Sequence, residues 1–176
     1  MKQNLLVTSY DYDLSKRLAE KLADAFSMRV LDAIGLFEFD HIPRSFQEML
    51  DLNGKDYVMK ELRSILNMEL DFDDTVFVTN VSFADNCYDL FYKIKFSNFV
   101  VLLKKNLDDE LRELESKTYQ TEKEKDFFVS SKQLLLEREY AISKDCADIV
   151  IEIENLTDDE IVEEIINKIK EFYSTI

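Results

Sequence analysis

Five short apolar runs separated by helix-forming stretches constrain this chain more than any other feature. The runs are Leu5–Thr8, Arg29–Asp32, Thr75–Asn80, Phe99–Leu103 and Asp148–Ile153. Phe99–Leu103 (FVVLL) is apolar without alternation, the pattern of a strand covered on both faces. The intervening segments have helical character. Ser15–Phe26 is amphipathic, and Ser45 reads as the N-cap of a helix running to Leu52 and closed by Asn53-Gly54. From about Asp56 to Leu70, the residues Val58, Leu62, Ile65 and Leu66 recur at helical spacing. Ala84–Lys95, Leu107–Glu115 and Phe127–Ser143 follow as helices. A last one, Thr157–Tyr173, opens with the capping box Thr157-Asp-Asp-Glu160. Only 2 glycines and 1 proline are present, too few for the tight turns of an all-β fold. Strands alternating with helices predict an α/β domain of three layers (α/β/α) around a five-stranded, mainly parallel sheet.

The length of 176 residues fits a single domain spanning 1–176, and a hydrophobic share of 46% is ample for its core. The formal charge of −15 excludes nucleic acid, whose phosphates need a basic footprint, and anionic membrane surfaces. It suits a basic partner or colloidal solubility. Cys87 and Cys146 stand alone, which rules out a disulfide framework or a CxxC metal site and suits a reducing cytosol. With no signal-peptide pattern and no apolar stretch of about 20 residues, a cytoplasmic location is expected.

Several constellations fail on inspection. Asp11-x-Asp13-x-Ser15 opens like a calcium loop, but Lys16 stands at the glycine position and Leu22 at the glutamate position. Asp71-Phe-Asp73-Asp74 fails likewise at Val76. The single histidine, His41, has no metal-ligand spacing. Cys87 and Cys146 read as small buried apolar groups rather than nucleophiles.

Segment order and spacing carry one resemblance. It rests on the strand–loop–helix at Asn4–Phe26, on Leu22-Ala23, Ser27-Met28 and Leu31-Asp32, on Ser45 with Glu48, Gly54 and Glu61, and on Arg138 through Glu160 (REYAISKDCADIVIEIENLTDDE). Over essentially its whole length the chain resembles the shikimate kinases, small P-loop proteins of the nucleoside-monophosphate-kinase-like fold. The resemblance implies strand order 2-3-1-4-5 with Leu5–Thr8 central, and a lid-like segment at about 104–131 that is mobile or divergent. Phe77, Val100, Val101, Ile149 and Ile151 should then be nearly fully buried.

The departures from that family fall on its chemistry. In the ungapped register its GxxxxGK[ST] loop occupies Ser9 to Lys16: Ser9 and Leu14 replace the glycines, Ser15 the lysine, and Lys16 the Ser/Thr. The loop Ser9-Tyr10-Asp11-Tyr12-Asp13-Leu14 offers no glycine, and Asp11 and Asp13 would face phosphate oxygens at repulsive range. A shifted register puts Lys16 on the lysine position without restoring the glycines. On the substrate side, the family's strand-two aspartate pair reads Asp32-Ala33-Ile34, its Phe-Arg reads Tyr57-Val58 or Val58-Met59, and its three glycines read Asn80-Val81-Ser82. The lid arginine is missing from Lys117–Asp126. Arg138 remains as a remnant of a carboxylate-binding arginine, and Asp32 as a candidate catalytic or magnesium-holding acid. Tyr10 and Tyr12 are candidates for a contact surface or for packing over the vacated pocket.

The expectation is a degenerate shikimate kinase-like protein without ATP-dependent activity, kept as a binding or regulatory module. No cofactor is expected, and the partner is a protein or a small anionic metabolite. One alternative is a small-metabolite kinase with an atypical phosphate loop, which would use ATP and magnesium. Another is an enzyme that works in the old substrate pocket without nucleotide.

Overall fold

The computed structural model describes residues 4–69, 71–80 and 88–174. Its strands are β1 (Asn4–Ser9), β2 (Arg29–Asp32), β3 (Thr75–Asn80), β4 (Asn98–Lys104) and β5 (Ile149–Glu152). Its helices are α1 (Tyr12–Phe26), α2 (Ala33–Asp40), α3 (Phe46–Asn53), α4 (Lys55–Glu69), α5 (Tyr88–Ser97), α6 (Leu107–Glu115), α7 (Glu122–Cys146) and α8 (Asp158–Ser174). All strand pairs are parallel, in the order β2-β3-β1-β4-β5. This is the order the resemblance implied, with β1 central.

Alternation along each strand builds two cores, one per face. On one face, Leu5 and Val7 of β1 join Val76, Val101, Leu18, Leu22, Ile161 and Ile165, so α1 and α8 cover it. On the other, Leu6, Phe77 and Val100 pack against α2, α4 and α5 through Phe37, Val58, Leu62, Leu90 and Ile94. Each such side chain contributes about 1.5–3 kcal/mol of transfer free energy.

Capping sets several boundaries. Ser45 caps α3 as expected and forms a capping box with Glu48, and Gly54 ends that helix at φ 79°. Thr157 and Glu160 do the same at α8, the Thr157 amide donating to Glu160 Oε2 at 2.8 Å.

Other boundaries differ from expectation. Helix α1 begins at Tyr12 rather than Ser15, because the Asp11 side chain caps it. Helix α2 was not anticipated. Its apolar residues surround the helix, with Ala33 and Phe37 buried and Leu36 and Phe39 exposed, so no 3.6-residue period appears. Helix α7 starts at Glu122 rather than Phe127, its first turn capped where the Glu124 amide donates to Thr121 Oγ1 at 3.2 Å. The span 104–131 therefore holds the end of β4, α6, a connection over 116–121 and the start of α7. The expected start of the helix at Ala84, together with Val81-Ser82 and Cys87, lies outside the described residues. Phe77, Val100, Val101 and Ile151 are buried as expected, but Ile149 is only half-buried. It sits on β5, an edge strand paired with β4 alone.

Candidate functional site

The junction between β1 and α1 is short: only Tyr10 and Asp11 separate them. Asp11 is extended (φ −94°, ψ 98°), and its Oδ1 accepts the Leu14 amide at 2.9 Å. The carboxylate therefore turns onto its own helix, not outward as expected, and takes up a donor of the first turn. Ser9 Oγ donates to the Asp11 carbonyl and lies 2.8 Å from Ser15 Oγ, with both serines buried. Leu14 joins the core under α1. Tyr10 donates its hydroxyl to the Leu136 carbonyl and so links the junction to α7. In this junction, therefore, the Leu14 amide is capped by Asp11, both serines are buried, and no residue is a glycine.

Beside it, at the C-terminal ends of β2 and β3, opens a cavity of about 480 Å³. This is where open α/β sheets place ligands. Ile34, Phe46, Met59, Leu62 and Leu66 supply apolar walls from α2, α3 and α4. Tyr12, Asp13 and Lys16 enter from α1, Asp32 from the end of β2, Glu38 from α2, and Thr79 from β3.

Asp32 anchors the polar side of the cavity. It caps α2 by accepting the Gly35 amide at 2.9 Å, accepts the Tyr12 hydroxyl, and pairs with Lys16 Nζ at 3.1 Å. A side chain at position 35 would collide with it, since a Cβ there falls 2.7 Å from Asp32 Oδ2. Burial pushes the Asp32 carboxyl up from its ordinary value; the Gly35 and Ile34 amides oppose this, and the negative charge of Glu38 adds to it. Glu38 is half-buried and holds the start of α3, its Oε1 accepting the Phe46 amide at 2.8 Å.

The structure thus brings Asp32, Asp13 and Lys16 to one cavity, buries Ser9, Leu14 and Ser15 in the fold, and leaves Asp11 exposed as the cap of α1. Arg138 is exposed on α7 and is not part of the cavity wall. His41 stacks on Phe37 with centroids 4.3 Å apart, its Nδ1 2.7 Å from the Phe37 carbonyl, a packing role. Burial pushes the Cys146 thiol up, away from the thiolate form. Glu38 was missed in the sequence because α2 was missed; the pairing of Lys16 with Asp32 has no signal in sequence spacing. Among the described residues no group of three His, Cys, Asp or Glu side chains is placed to hold a metal ion, and no helix is long and apolar enough to cross a membrane.

No protein-family model matches the sequence, and no curated protein matches it. Solved structures do match over nearly the full length. Shikimate kinase from Aquifex aeolicus superposes with a TM-score of 0.79 at 14% identity, covering 97% of this chain and 98% of that one. Shikimate kinase from Acinetobacter baumannii in complex with shikimate gives 0.73 at 16% identity, covering 96% and 93%. The YorR protein of Bacillus subtilis, in complex with phosphorylated GDP, gives 0.59 at 16% identity, covering 97% and 98%. At such identities the likeness is one of fold: the five-stranded parallel sheet with helices on both sides is that of the shikimate kinases and other P-loop kinases.

Proposed function

We propose that this shikimate kinase-like fold serves as a binding or regulatory module and does not transfer phosphate from ATP. The β1–α1 junction carries the reading. Phosphoryl transfer depends on backbone amides, a lysine and magnesium arranged around the β- and γ-phosphates. Here Asp11 occupies the Leu14 amide, Ser15 is buried against Ser9, and Lys16 is engaged by Asp32. The module works in the cytoplasm without a cofactor, and its partner is a protein or a small metabolite held in the cavity.

A coupled assay tests this directly. Magnesium-dependent ADP release should stay at background with and without shikimate; turnover of about 1 per second or more would overturn the proposal. The retained cavity favours a second reading, a small-metabolite kinase with an atypical phosphate loop, because a lysine of α1 and the acid at the end of β2 still meet there. Thermal-shift titration separates the two. A bound nucleotide at 100 times its dissociation constant would stabilise the protein by about 2.7 kcal/mol, and the first reading expects no such response to ATP–magnesium.

A further inference from the structure

Resting on the reading that the cavity binds a ligand without phosphorylating it, we propose that this ligand is a small cationic amphiphile: an amine on a compact apolar body, its ammonium held by Glu38.

The cavity's volume of about 480 Å³ suits a small metabolite. Among the described residues its walls carry one lysine against three carboxylates, Asp13, Asp32 and Glu38. Lys16 is committed to Asp32, which also receives the Gly35 amide and the Tyr12 hydroxyl, so Asp32 is compensated. Glu38 is not. It is half-buried, its Oε1 takes one neutral amide, and among the described residues no cation pairs with it. A half-buried carboxylate facing an apolar space favours a cation brought by a ligand and disfavours an anion. Burial is the main cause of the raised Asp32 carboxyl, and the like charge of Glu38 adds to it.

Thr79 adds an independent observation. It is 3% exposed, lines this cavity, and its hydroxyl has no hydrogen-bond partner. A hydroxyl both donates and accepts, so Thr79 supplies the cavity wall with a polar group for a second N–H of the ligand. The apolar body then lies against Met59, Leu62 and Leu66. A polyhydroxylated carboxylate would leave those walls unused and set its charge against Glu38.

The test compares phenethylamine with 3-phenylpropionate, which share a body and differ in charge, by thermal shift and by calorimetry up to about 10 mM near neutral pH. Phenethylamine should stabilise the protein and move the Met59 methyl resonance while leaving Met28, on the opposite face, unmoved. The acid should do neither. Glu38→Gln keeps an oxygen for the Phe46 amide and should weaken the amine about tenfold or more. Equal binding of the acid, silence of both probes, or an unchanged affinity in Glu38→Gln would overturn the proposal. Should that variant not fold, the comparison of the two probes on the unaltered chain still decides. ATP–magnesium is titrated in the same series: stabilisation by nucleotide would sink the non-kinase reading, whereas the amine result stands or falls separately.

Discussion

The Lys16 ammonium lies 3.1 Å from Asp32 Oδ2, bridging the second turn of α1 and the end of β2 across the mouth of the cavity. Lys16 is 46% exposed, so the attraction is screened and the pair contributes about 0–1 kcal/mol. Asp32 matters more as the cap of α2 than as an ion-pair partner.

Substitution separates those two roles. Lys16→Met should change stability little. Asp32→Ala should cost about 1–2 kcal/mol, and Asp32→Asn, which keeps an acceptor for the Gly35 amide, less. Gly35→Ala should destabilise the chain alone but be close to neutral in the Asp32→Ala background, where the carboxylate it would strike is gone. Urea unfolding of the four species of this cycle measures the coupling; strict additivity would contradict the contact.

Ser27 closes α1 in the left-handed region, φ 57°, a conformation glycine adopts without strain. A Cβ is strained there, so Ser27→Gly should stabilise the protein by about 0.5–1 kcal/mol. A lower urea midpoint for the variant would count against this account of the cap.

Rebuilding a phosphate loop by Leu14→Gly with Ser15→Lys should fail twice over. Leu14 is 8% exposed within the α1 core, so its removal costs about 3 kcal/mol. Ser15 is fully buried against Ser9, and a lysine there must either bury its charge or unwind the first turn. The double variant should melt well below the parent and release no ADP from ATP. Acquired ATPase activity would mean the junction opens more readily than its hydrogen bonds imply.

Acid should weaken the fold partly through its capping boxes. The Ser45 and Thr157 amides, then their hydroxyls, hold the Glu48 and Glu160 carboxyls below the usual glutamate value. Depressed carboxyls contribute stability that is complete above the unfolded value, about 4.3, and is lost as pH falls through the lower folded values. Glu48→Gln with Glu160→Gln preserves both boxes in neutral form. Its urea midpoint should fall less steeply than the parent's between about pH 5 and pH 3. An unchanged slope would assign the acid sensitivity elsewhere.

The sheet was legible because burial on both faces writes itself as runs such as Phe99–Leu103, and the Ser45 N-cap and the Thr157 capping box are local. What failed was whatever depends on tertiary context. Helix α2 has no apolar stripe, since it lies between the core and an exposed edge at Leu36 and Phe39. The start of α1 was misplaced because Asp11 reads equally well as a loop acid or as an N-cap; its three-residue reach to Leu14 was the available signal. The charged run before Phe127 hid a Thr121–Glu124 cap and so concealed the first turn of α7. At the site, Asp32 was visible as a strand-end acid, but its partners Tyr12, Lys16 and Gly35 converge only in three dimensions.

The two cores lie on opposite faces of the sheet, and the cavity is cut almost wholly into one of them. Leu62, Leu66 and Ala33 belong to the core that lines it, whereas among the described residues the core under α1 and α8 contributes Val78 alone of its buried members. Substitutions that reshape the pocket therefore leave Leu5, Val7, Leu18, Ile161 and Ile165 untouched. Selection on what the cavity holds bears on Ala33, Leu62 and Leu66 of one core and spares the other, so the pocket can diverge while the core under α1 and α8 keeps the architecture.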